Sequence, residues 1–111
     1  PLASAIDAAS VLAQSERAKG RTPLVVLLSD GRGNVDRAGE ARRDSAEHDT
    51  RAAARALAGS GLAAVFIDTS QRSRPESVAL AAAMGARYAL LPHLNANAVA
   101  DVVRAHAPSR R

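Results

Sequence analysis

A chain of 111 residues with a formal charge of +4, one tyrosine, one phenylalanine and no tryptophan has room for one small domain with few large core side chains. The absence of cysteine excludes a disulfide scaffold, a thiolate metal site and a cysteine nucleophile. Hydrophobic residues make up 47%, too many for a disordered chain, but much of that share is alanine, which buries little area. In chain order, Leu2, Ile6, Ala9 and Ala13 form one helical stripe, with Leu12 beside it, and Gly20 supplies the left-handed stop. Pro23-Leu24-Val25-Val26-Leu27-Leu28-Ser29 is a continuous apolar run, which predicts a central parallel strand covered on both faces. From Asp30 to about Arg43 the chain is polar and contains glycine, predicting a long loop. A helix is expected over residues 44–58, with Asp44 and Glu47 at N-cap and N3 spacing and Gly59 and Gly61 at its end. Residues 62–67 read as the second strand, closed by Asp68-Thr69-Ser70. Ser73-Arg74-Pro75-Glu76 opens a third helix filled by Val78, Ala81, Ala82 and Met84 and ended by Gly85. Residues 87–91 form the third strand, ended by Pro92. Asn95 or Asn97 then caps a last helix carrying Val99, Val102 and Val103.

Strict alternation of helix and strand predicts an α/β fold, a parallel open sheet with helices on both faces. The longest strongly apolar run, residues 24–28, is far too short to span a bilayer, and no signal-peptide pattern opens the chain. No membrane insertion is therefore expected. Pro1 leads straight into a helical pattern without an initiator Met, which points to a processed product or an excised segment. The basic residues are almost all Arg, interleaved with Glu and Asp and without stacking aromatics, so nucleic acid is not an expected partner.

Open parallel sheets bind ligands at the carboxyl ends of their strands. Three segments reach that edge here: Asp30-Gly31-Arg32-Gly33-Asn34, Asp68-Thr69-Ser70 and Pro92-His93. Neighbouring strands lie about 4.8 Å apart, so Asp30 and Asp68 are expected near one another. A carboxylate leaving a buried strand beside a glycine suits a hard cation such as Mg²⁺. On the residues alone, a turn-forming Asp30 bonded to its own backbone is the commoner use of that position. Gly31-Arg32-Gly33-Asn34 lacks the Lys and Ser/Thr of a P-loop and the third glycine of a dinucleotide fingerprint. Asp68-Thr69-Ser70-Gln71-Arg72 imitates an Asp-x-Ser-x-Ser metal motif, but Arg72 stands where the second Ser belongs. It reads as a strand-end turn, leaving Ser73 to cap the next helix. His48, His93 and His106 have no partner at ligand spacing, and no Ser sits in a nucleophile elbow, so no catalytic residue is evident.

The run Leu24-Val25-Val26-Leu27-Leu28-Ser29-Asp30-Gly31-Arg32-Gly33-Asn34 resembles the fourth strand and following loop of a von Willebrand factor A-type domain, in the version found in the magnesium chelatase D-subunit family. The match continues through Ala63-Val65-Ile67-Asp68-Thr69-Ser70, Arg74-Pro75, Met84-Gly85-Ala86-Arg87-Tyr88 and Leu91-Pro92. Pro1-Leu2-Ala3 is similar to the residues after a Gly-Gly-Thr turn in that family. The resemblance covers essentially the whole chain and implies a Rossmann-like A-type domain. Residues 1–107 would be its C-terminal half, holding three strands of six, with 108–111 a flexible tail.

In the family, a metal-ion-dependent adhesion site is assembled from an Asp-x-Ser-x-Ser motif, a later Thr and a still later Asp. Only the last matches, at Asp30. The others would lie upstream of Pro1, so the implied Mg²⁺ site is incomplete in this chain. The strand over residues 24–28 would also lack a neighbour, an apolar edge that invites self-association. The implied function is an interaction module without chemistry of its own. It would couple an AAA+ ATPase subunit to a porphyrin-binding subunit for ATP-dependent insertion of Mg²⁺ into protoporphyrin IX, in (bacterio)chlorophyll biosynthesis. The setting would be the bacterial cytoplasm or the plastid stroma. A partner carboxylate would complete the shell of the Mg²⁺ held by Asp30, and Gly31, Arg32, Asn34, Arg37, Arg42 and Arg43 would meet the acidic partner surface around it. Two alternatives stay open: an A-type domain of another AAA+ partnered complex, and a small nucleotide-binding enzyme.

Overall fold

A computed structural model describes residues 2–30 and 40–108, and within the second helix it describes side chains from Ser45 onward. The order of elements is α1 (Leu2–Ala18), β1 (Leu24–Ser29), α2 (Glu40–Gly59), β2 (Ala63–Asp68), α3 (Pro75–Ala83), β3 (Arg87–Leu90) and α4 (Ala96–His106). The strands form one parallel sheet in the order β1-β2-β3. Successive right-handed crossovers in one direction put α2 and α3 on the same face, and α1 packs beside α2.

That face holds the core. Val25, Ala64 and Phe66 from the strands meet Ile6 and Ala13 of α1, Ala53, Ala54 and Leu57 of α2, and Ala81 and Met84 at the end of α3. Phe66, the one phenylalanine, is 1% exposed and stacks on Tyr88 of β3, ring centroids 6.1 Å apart. Along β2, Val65 and Ile67 alternate to the opposite face, where both are buried and where α4 packs. Helices thus cover both faces, as the alternating pattern demands.

Several local expectations change. The continuous apolar run of β1 is not the central strand of the described sheet; that place belongs to β2, buried from Ala64 to Asp68, while Leu28 of β1 is 44% exposed. The second helix begins at Glu40, so Asp44 lies inside it and is not its N-cap. Good helix formers at Glu40, Ala41, Arg42 and Arg43 carry the helix past the capping signal. On α1 the stripe through Ile6 and Ala13 is buried, but Leu12 is 66% exposed. On α3 the buried face runs through Ser77, Leu80, Ala81 and Met84, leaving Val78 and Ala82 outside. The buried residues of this nine-residue helix, Ser77 and Ala81, are small, whereas the bulkier Val78 is left outside.

Gly85 ends α3 with φ +67°, and a Cβ placed there would sit 3.4 Å from the Ala58 Cβ of α2. The left-handed backbone favours glycine at this point, while the space beside Ala58 is ordinary contact. Among the described residues, no helix is long and apolar enough to cross a membrane.

Candidate functional site

The sheet register brings three strand ends to one edge. Ser29 lies beside Asp68, and Asp68 beside Leu90. Beyond the last ladder positions the chain is still sewn together: the Thr69 amide donates to the Ser29 carbonyl at 2.9 Å, and the Leu91 amide to the Asp68 carbonyl at 2.7 Å. Asp30 follows directly on β1 and is exposed at this edge.

Asp68 sits one position back and is completely buried. Its side chain shares the core face with Phe66 and Tyr88, because residues two apart on a strand point the same way. An ionised carboxylate survives such burial only with several donors. Asp68 has three: the Ser70 amide at 3.0 Å, the Ser70 hydroxyl, and the Tyr88 hydroxyl on Oδ2 at 2.5 Å. The Ser73 hydroxyl lies 3.1 Å from the Tyr88 oxygen and donates to it, since the phenol proton is committed to Asp68. Burial pushes the Asp68 carboxyl up, but the bonds from Ser70 and Tyr88, with the field of Arg74, together hold it below the ordinary carboxylate value. The Tyr88 phenol is raised by its own burial and by the bond to the Asp68 carboxylate.

Asp68 is therefore the strand-end turn former that the sequence suggested, and more: it is the hub of a four-residue polar chain. Ser73 does not cap α3. Arg74 holds the N-cap position without a side-chain bond, and the Ser73 hydroxyl turns to Tyr88. No local signal marks the Asp68–Tyr88 bond, which joins residues twenty apart and exists only because β2 and β3 pair in this register. At the last helix the cap is Asn95, whose side chain accepts from the Ala98 amide at 2.8 Å, and Asn97 lies within the helix.

Of the partner-contact candidates, Gly31, Arg32, Asn34 and Arg37 lie outside the described residues. Arg42 and Arg43 lie on the first turn of α2, with their side chains outside the described part. Among the described residues, no three His, Asp or Glu side chains group as a metal site. Asp68 faces the core with its oxygens occupied by Ser70 and Tyr88, while Asp30 is exposed at this edge. One carboxylate does not make a Mg²⁺ site, so the described residues by themselves do not fit a resident ion.

Fold and edge together define a Rossmann-like α/β domain with an acid at the carboxyl end of a strand, the position at which such sheets bind. Searches for relatives narrow the class. The chain is 45% identical over 105 residues to the magnesium-chelatase 60 kDa subunit of Rhodobacter capsulatus, covering 95% of this chain and 19% of that protein. The magnesium-chelatase 60 kDa subunit of Cereibacter sphaeroides matches to the same extent. The magnesium-chelatase 67 kDa subunit of Chlorobaculum tepidum is 33% identical over 111 residues, covering 91% of this chain and 18% of its own length. The chain thus spans about a fifth of the length of the curated relatives it matches. No family profile matches it, and no solved structure matches it.

Proposed function

We propose that this chain is the C-terminal half of a von Willebrand factor A-type domain in a magnesium chelatase D subunit. Its role is that of an interaction module, coupling an AAA+ ATPase subunit to a porphyrin-binding subunit while Mg²⁺, the substrate ion, is inserted into protoporphyrin IX. The observation that carries the reading is similarity along nearly the whole chain to subunits named for that complex. The exposed Asp30 at the carboxyl edge supports it. On this reading Asp30 contributes one ligand to a bound Mg²⁺, and residues outside this chain supply the rest. On the same reading Gly31, Arg32, Asn34, Arg37, Arg42 and Arg43 are the candidates for contact with the acidic partner.

The test is Asp30→Ala in the full-length subunit. The variant is expected to keep its circular dichroism spectrum and lose Mg²⁺-dependent association with the porphyrin-binding subunit. Association of unchanged strength and unchanged Mg²⁺ dependence overturns the assignment of Asp30.

A further inference from the structure

The connection between β2 and α3 combines two properties that the reading above leaves unused. Its backbone is pinned at both ends. The Thr69 amide is tied to Ser29, the residue before Asp30, and the hydroxyls of Ser70 and Ser73 are drawn to Asp68 and Tyr88. Arg72 and Arg74, carried by this pinned backbone, are both exposed. Neither forms an ion pair among the described residues. Arg74 caps α3 in extended conformation (φ −114°, ψ 142°) without using its side chain for the cap, a position where a short polar residue serves the helix better. Over residues 69–76 the one acid is Glu76, against two arginines.

We propose that residues 69–74 form a preset cationic rim along the carboxyl edge, and that Arg72 and Arg74 recognise the carboxylates of an acidic segment on the protein that docks there. The inference rests on the reading of the edge as a contact surface and extends it to a second loop. Guanidinium groups pair with carboxylates through two parallel hydrogen bonds, so their spacing matters as well as their charge. A backbone already fixed before docking loses less entropy on binding than a free loop. Asp68 and Tyr88 are positioning residues in this scheme. They lie beneath the rim and hold Ser70 and Ser73, which set where the arginines stand.

The experiment measures association of the full-length subunit with each of the other chelatase subunits, and with poly-L-glutamate as a probe of acidic chemistry, across a series of salt concentrations. Charge reversal by Arg72→Glu with Arg74→Glu is expected to weaken binding about tenfold at low salt and to flatten the salt dependence. The Arg72→Lys, Arg74→Lys pair is expected to keep the salt dependence while losing only part of the affinity, and circular dichroism checks that each variant folds. Tyr88→Phe is expected to weaken binding while the arginines are present and to add nothing in the charge-reversed background, a coupling that a general loss of stability would not produce. Charge-reversed protein that binds every component within about twofold of wild type, at every salt concentration, overturns the rim. Asp30→Ala serves as the separate arm. If it is silent while charge reversal weakens binding, the rim stands and the metal reading falls. If it abolishes Mg²⁺-dependent binding while charge reversal is silent, the rim alone falls.

Discussion

Tyr88 donates to a carboxylate that no solvent reaches, and removing that donor leaves Asp68 Oδ2 without its partner. Tyr88→Phe is expected to cost about 1–3 kcal/mol in a urea unfolding series, although the ring and its stack on Phe66 are retained. The same bond has a pH signature. Asp68 is held below its ordinary value in the folded chain, so its contribution is complete above the unfolded value of about 4 and is lost as pH falls through the lowered folded value. Asp68→Asn should therefore show a flatter stability profile than wild type below about pH 4. Tyr88 is raised, so its contribution is complete below about pH 10 and is lost as pH rises through the raised value. Because the chain has one tyrosine and no tryptophan, tyrosinate absorbance reads this titration directly, and a midpoint at the free-phenol value would contradict the bond. At Gly85, with φ +67°, Gly85→Ala is expected to destabilise by about 1 kcal/mol or more, measured by thermal melting.

Among the elements, β2 carries the largest share of the packing, since it is covered on both faces and pairs on both sides. Phe66→Ala removes the bulkiest fully buried side chain and should cost about 3–5 kcal/mol, enough to leave little cooperative unfolding in so small a core. The helices were legible to different degrees. The stripe of α1 follows directly from the spacing of Ile6 and Ala13, and its Gly20 stop is where the pattern puts it, at φ 86°. On α3, by contrast, alanine and serine compete with valine for the core. Periodicity then shows that a helix exists without showing which face is inside, because a run of alanines gives both faces apolar residues. For α4 the Asn95 cap is local chemistry and was readable as such. Asn95→Ala should cost about 1 kcal/mol and fray the helix first, seen as faster amide exchange at Ala98.

On the scale of the molecule, apolar surface remains on both the helical and the sheet side. Val11 and Leu12 of α1 are 69% and 66% exposed, and Leu28 of β1 is 44% exposed. Val11 and Leu12 are neighbours on α1, and β1 is an edge of the described sheet, so each offers apolar surface to a second copy. The 111-residue chain alone is expected to self-associate, with sedimentation above the monomer and a broad thermal transition. A monomer with a sharp two-state melt is the opposing result.

Sequence by itself determined the alternation of helices and strands, the parallel α/β class, and the place of Asp30 at a strand end beside glycine. Those features depend on residues close together in the chain: apolar periodicity, turn glycines, and strand formers in unbroken runs. The unbroken apolar run of β1 suggested a centre and the family resemblance an edge; tertiary structure puts β2 at the centre of the described sheet and starts α2 ahead of its capping signal. It also decided that the two acids at neighbouring strand ends part company, Asp30 to the surface and Asp68 into the core. The physical reason is pairing register. A carboxylate can be buried only where donors converge on it, and the decisive donor, Tyr88, arrives from another strand twenty residues away.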